Sequence, residues 1–137
     1  MKLFIDTSAF VALEDRDDQH HERALRLFRR IREERPILVT SNLILAEAVS
    51  LIGRRLYPVK AADFGQRLHA SRVIRLLYLT QEIEALALKT YRKFNRPELS
   101  FVDCTSFEIM KLLALDAAFA FDEHFAHTGF TLYGAGE

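Results

Sequence analysis

Short apolar runs alternate with longer amphipathic stretches along this chain. That order predicts the α/β class, a parallel sheet covered by helices. The apolar runs place strands at 3–5, 37–39, 73–78, 118–121 and 130–132, each short and rich in Val, Ile, Leu or Phe. Helical periodicity fills the intervals 8–13, 18–35, 41–57, 60–70, 80–94 and 101–115. Asp17 or Asp18, Ser41, Thr80 and Ser100 stand where N-caps belong, and Pro36, Pro58 and Pro97 fall beside helix ends. No linker, repeat, low-complexity tract or glycine-rich phosphate loop breaks the order, so one domain over residues 1–137 is expected.

Four acids interrupt this pattern. Asp6 closes the apolar run Leu3-Phe4-Ile5, and Asp122 closes Ala118-Phe119-Ala120-Phe121, so both read as carboxyl ends of buried strands. Open α/β sheets bind ligands at that edge. Glu47 falls on the apolar stripe of its helix, with Leu43 and Leu51 one turn away and Ile44 three residues back. An unpaired carboxylate buried there costs several kcal/mol. Asp103 follows Leu99-Ser100-Phe101-Val102 at a helix start, where the partial positive charge of the helix end favours an anion. If the four converge, they repel one another unless a divalent cation intervenes, and hard oxygen donors select Mg²⁺ or Mn²⁺ over zinc.

Each acid also has an ordinary explanation. Asp6 suits the N-cap of the helix after it, Ser100 to Asp103 matches a capping box, and Asp122 suits the turn 122–125. Glu47 has the weakest such excuse. The conjunction of four at one sheet edge carries the shared-site reading. Thr7, Ser8 and Thr105 lie beside the acids as candidates to hold a carboxylate or water, although such hydroxyls commonly cap helices. His20 and His21 read as solvated, and His124 lies near the site without a partner. Cys104 sits at a helix start, which lowers a thiol pKa, but with no His to pair it reads as a small buried residue.

Composition narrows the classes further. At 50% hydrophobic and 28% charged residues, the chain reads as an ordinary globular protein. No stretch reaches a membrane span and Asp6 arrives too early for a secretory core, so a cytoplasmic location without membrane contact is expected. One cysteine excludes an internal disulfide and a cysteine zinc site. The 19 basic and 19 acidic residues cancel, so any polyanion must be recognised locally. Arg29, Arg30, Arg32 and Arg35 complement a helix end, while Arg54 and Arg55, about two turns past Glu47, are the better candidates to guide a phosphate backbone, with a solvated surface as their default reading.

Together, Phe4-Ile5-Asp6-Thr7-Ser8-Ala9, Glu47 in Leu45-Ala46-Glu47-Ala48, Ser100-Phe101-Val102-Asp103 and Phe121-Asp122-Glu123-His124-Phe125 resemble the PIN-domain ribonucleases, above all the toxins of VapBC-type toxin-antitoxin pairs. The likeness spans the whole chain. It implies a three-layer α/β/α sandwich with a central, mostly parallel five-stranded sheet. It also implies a metal-dependent endoribonuclease that leaves 5′-phosphate and 3′-hydroxyl ends. Asp6, Glu47, Asp103 and Asp122 fall on the family's acidic quartet, with Asp6 and Asp103 foremost as metal ligands. Many relatives carry Thr or Ser two residues before the last acid, where this chain has Ala120, and Glu123 stands as the alternative to Asp122. The resemblance further implies an RNA substrate, a homodimer and a cognate antitoxin that plugs the acidic groove.

Two other classes fit parts of the pattern. A receiver-type phosphoacceptor domain needs a lysine ending a late strand, and only Lys111, inside a helix, is near that place. A PIN-like domain that binds RNA or protein without cutting would bind RNA in a salt-sensitive way unaffected by EDTA.

Overall fold

The computed structural model describes residues 1–136. The elements in order are β1 (Lys2–Ile5), α1 (Thr7–Glu14), α2 (His21–Glu34), β2 (Ile37–Ser41), α3 (Asn42–Arg55), α4 (Pro58–Ala70), β3 (Ile74–Leu77), α5 (Gln81–Phe94), α6 (Phe101–Leu112), β4 (Ala117–Phe119) and α7 (His124–His127). They form a three-layer α/β/α fold. The sheet runs β3-β2-β1-β4 with every pairing parallel. Leu3, Phe4 and Ile5 have no exposed surface, as a central strand covered on both faces requires. The chain moves from β1 through β2 to β3 on one side and then crosses to β4 on the other. The switch point therefore lies between β1 and β4, where such sheets open a crevice at their carboxyl edge.

Among the described residues the sheet has four strands, not the five expected. The segment expected as a fifth strand contributes one parallel bridge, Leu132 to Ala118. Ala118 N–H donates to Thr131 O at 2.9 Å and Tyr133 N–H donates to Ala118 O at 2.8 Å. Gly129 at φ 90° and Gly134 at φ 79° bend the chain on either side, which stops the ladder after one residue. β4 also ends early, because the Phe121 amide donates to Ser8 Oγ at 2.9 Å and leaves the sheet. Asp122 therefore lies in the turn beyond the strand, not at its end.

The expected caps Ser41, Thr80 and Ser100 each accept a backbone N–H at the start of α3, α5 and α6. Pro58 opens α4, two residues before the expected start. The expected cap at Asp17 or Asp18 is not used. Asp15 accepts the Asp17 amide at 3.0 Å and Asp18 accepts the His20 amide at 2.8 Å, so local turns displace the helix start to His21. One core of buried side chains joins sheet and helices. Phe107 lies within it, with ring contacts to Phe94, Phe125 and Phe130.

Candidate active site

Asp6, Glu47, Asp103 and Asp122 line one cleft of about 290 Å³ at the carboxyl edge of the sheet. β1 delivers Asp6 in extended conformation to the N-cap of α1, where its Oδ2 accepts from Ser8 N at 3.1 Å and Ser8 Oγ at 2.7 Å. Ser8 Oγ in turn accepts the Phe121 amide, so one hydroxyl joins the ends of β1 and β4. Asp103 closes a capping box with Ser100: its amide donates to Ser100 Oγ at 3.0 Å, and its Oδ2 accepts from Ser100 N at 3.1 Å. Asp122 Oδ1 accepts the His124 amide at 2.9 Å. The ordinary capping explanations of the three aspartates are thus all realised. Each engages one oxygen with the protein, while the other makes no hydrogen bond among the described residues. Glu47 is half-buried at the mouth rather than sunk in the apolar stripe.

The cleft is electrostatically strained. Burial raises the Asp6 pKa from 3.8 to about 7, with Asp103 and Asp122 adding to the rise and the Ser8 hydrogen bonds opposing it. Burial also raises Asp103, helped by Asp122 and Glu47 and opposed by the Ser100 bonds. Two buried polar atoms beside these acids, Thr7 Oγ1 and His124 Nδ1, lack a hydrogen-bond partner among the described residues. His124 Nδ1 lies 2.9 Å from Asp122 Oδ1, off the line a hydrogen bond needs. One donor atom from each of Asp103, Asp122 and His124 falls within a 4.8 Å span. Clustered carboxylates with unengaged oxygens and an orphaned ring nitrogen fit a divalent cation, which relieves the repulsion and satisfies the donors.

Several neighbours differ from the sequence expectation. The His124 ring lies beside the Asp122 carboxylate without a hydrogen bond to it, brought there by the turn into α7, in which Asp122 accepts the His124 amide. His20 is not simply solvated, because its ring stacks on Phe121 at the cleft. Thr105 is fully buried and donates to Val102 O at 2.6 Å, turned to its own helix. Burial, with Asp103 and Glu108, pushes the Cys104 thiol up to about 11, opposite to the helix-start effect. Arg55 reaches the cleft held by Asp18 at 2.9 Å and Asp15 at 3.3 Å. Asp18 and Gln19 also line it. No spacing in the sequence announces these last neighbours, since the 15–20 turn is folded over the site by tertiary contacts.

A parallel sheet with acids gathered beside its switch point forms a cleft whose Asp103, Asp122 and His124 could hold a metal ion. The chain belongs to the PIN domain family, whose profile matches residues 3–131. It is similar to the 23S rRNA-specific endonuclease VapC20 of Mycobacterium tuberculosis, found in strains CDC 1551 / Oshkosh and ATCC 25618 / H37Rv. Each is 34% identical over 128 residues, spanning 93% of this chain and 95% of the relative. The crystal structure of VapC20, described as a sarcin-ricin loop cleaving toxin, matches with a TM-score of 0.86 at 32% identity. That match covers 94% of this chain and 96% of the solved one.

Proposed function

We infer that this chain, as one PIN-like nuclease domain over residues 1–137, is a metal-dependent endoribonuclease and the toxin of a toxin-antitoxin pair. The observation that carries this reading is the convergence of Asp6, Glu47, Asp103 and Asp122 on one cleft. The similarity to VapC20 supports ribosomal RNA as the substrate class. Asp6, Glu47, Asp103 and Asp122 hold the cation, Mg²⁺ with Mn²⁺ as substitute, and His124 is a further ligand from the turn after β4. When bound, the cation supplies the positive charge that a phosphodiester needs in an acidic cleft and lowers the pKa of water.

The chain's own residues prepare that site. Ser8 orients Asp6 through Oδ2 and ties the Phe121 amide to the same point, so one hydroxyl holds both strand ends. Ser100 fixes the rotamer of Asp103 through the capping box. Arg55, which lines the cleft, offers a guanidinium to the RNA backbone by exchanging Asp15 and Asp18 for phosphate. The reading includes a cytoplasmic location, a cognate antitoxin that covers the cleft, and a homodimer. Among the described residues no helix is long and apolar enough to cross a membrane. Leu88 and Tyr91 share an exposed face of α5 that suits contact between copies, which sedimentation equilibrium tests.

The function is tested by incubating purified protein with total RNA in Mg²⁺, in Mn²⁺ and in EDTA, beside Asp103→Asn. Cleavage that needs both the cation and Asp103 is expected. Cleavage by the Asn variant at the wild-type rate refutes the assignment.

A further inference from the structure

The rim of the cleft carries a feature that cation binding does not use. His20 and Phe121 stack with ring centroids 4.7 Å apart and planes 6° from parallel. Both rings line the same cleft as Asp6 and Asp103. Both are half-buried, whereas Phe119 and Phe125 in the neighbouring core are fully enclosed. Phe121 is braced from behind by an edge contact to Phe119 at 5.9 Å. His20 is held through its backbone, its amide donating to Asp18 Oδ1 at 2.8 Å. Its side chain gives α2 no capping bond, and its ring nitrogens make no hydrogen bond among the described residues. The fold thus rigidly presents a planar pair with a free polar edge, and helix capping does not account for it.

We propose that His20 and Phe121 form a stacking platform for one unpaired nucleobase beside the bond to be cut, with Gln19 at the same cleft available to the base edge. This deepens the nuclease reading and rests on it. The platform solves a problem of charge. A cleft with five carboxylates repels single-stranded RNA, and many added cations would pair with the acids instead. Stacking attracts every base without charge and pays its orientation cost in the folded protein. Bases inside a duplex already stack on their neighbours, so the platform selects a nucleotide splayed from a loop. A cleft of about 290 Å³, at the lower end of ligand-site volumes, suits a single nucleotide.

The test is cleavage in Mg²⁺ of a synthetic stem-loop RNA carrying the sarcin-ricin loop, with single abasic nucleotides scanned through the loop. For the wild type, one abasic position next to the cut is expected to lower kcat/KM about tenfold, in line with stacking measured by truncation. His20→Ala, which removes no hydrogen bond from the fold, is expected to cut the intact loop about tenfold less well and to show under about twofold further loss at that position. His20→Tyr restores both the rate and the abasic penalty. Equal abasic penalties in wild type and His20→Ala overturn the platform while leaving the nuclease reading intact, as does a uniform loss at every position. A wild-type protein that cuts neither this RNA nor total RNA, in Mg²⁺ or in Mn²⁺, overturns the nuclease reading and the platform with it.

Discussion

Replacing Asp6 by Asn tests the electrostatics of the cleft through stability, separately from catalysis. Asp6 titrates at about 7 in the folded protein against an ordinary 3.8, a gap of roughly 3 pH units at about 1.4 kcal/mol each. Between about pH 4 and 7 the folded chain holds a proton that the unfolded chain has released, so stability falls as pH rises through this window and levels off above it. In EDTA near pH 8 the wild type therefore carries up to ~4 kcal/mol of strain from this group, and near pH 5 under about 2 kcal/mol. Asn keeps the acceptor for the Ser8 amide and removes the charge. At roughly 3 °C per kcal/mol for a chain of this size, Asp6→Asn should melt about 10 °C above wild type near pH 8 and much closer to it near pH 5. Saturating Mg²⁺ should narrow the gap at the higher pH, because a cation favours the charged carboxylate. The assay is thermal unfolding by circular dichroism at both pH values, with and without Mg²⁺. An Asn variant less stable than wild type by the same amount at both pH values would refute the reasoning and leave Asp6 as a plain helix cap.

Ser8→Ala should lower stability by about 1–3 kcal/mol in urea unfolding, since it removes a hydroxyl that both donates to Asp6 and accepts the Phe121 amide. The same variant should lower kcat of RNA cleavage, because it loosens Asp6 and releases the Phe121 amide together. Phe107→Ala should cost about 3–5 kcal/mol by the same measurement, as Phe107 is 1% exposed and in ring contact with three phenylalanines. Cys104, buried and with its thiol near 11, should stay unreactive to a thiol reagent at neutral pH until the chain is unfolded, and rapid modification of the native protein would count against this placement.

The sheet edge was legible because its signals are local. Asp6 and Asp103 follow apolar runs directly, and their placement needs only strand and cap chemistry. The apolar run puts Asp122 at a strand end, whereas Ser8, more than a hundred residues away in sequence, takes the Phe121 amide and ends β4 at Phe119. The fifth strand failed for a similar reason: Phe130 to Leu132 has strand composition, but flanking glycines at positive φ set its direction. Glu47 reads as buried on a helical wheel, yet the wheel does not show that its face opens onto the cleft mouth. His20, Gln19 and Asp18 carry no periodic signal, because a turn of competing aspartate hydrogen bonds folds them over the site.

The central claim is that four acids from four separate segments form one cation site. Mn²⁺ binding, followed by loss of the free-ion electron paramagnetic resonance signal, tests it most directly in the wild type and in Asp6→Asn, Glu47→Gln, Asp103→Asn and Asp122→Asn. The account predicts saturable binding to the wild type and at least about tenfold weaker binding to Asp103→Asn and Asp122→Asn, whose oxygens lie with His124 in one 4.8 Å cluster. Binding of equal strength in all five proteins, or none in the wild type, would contradict it.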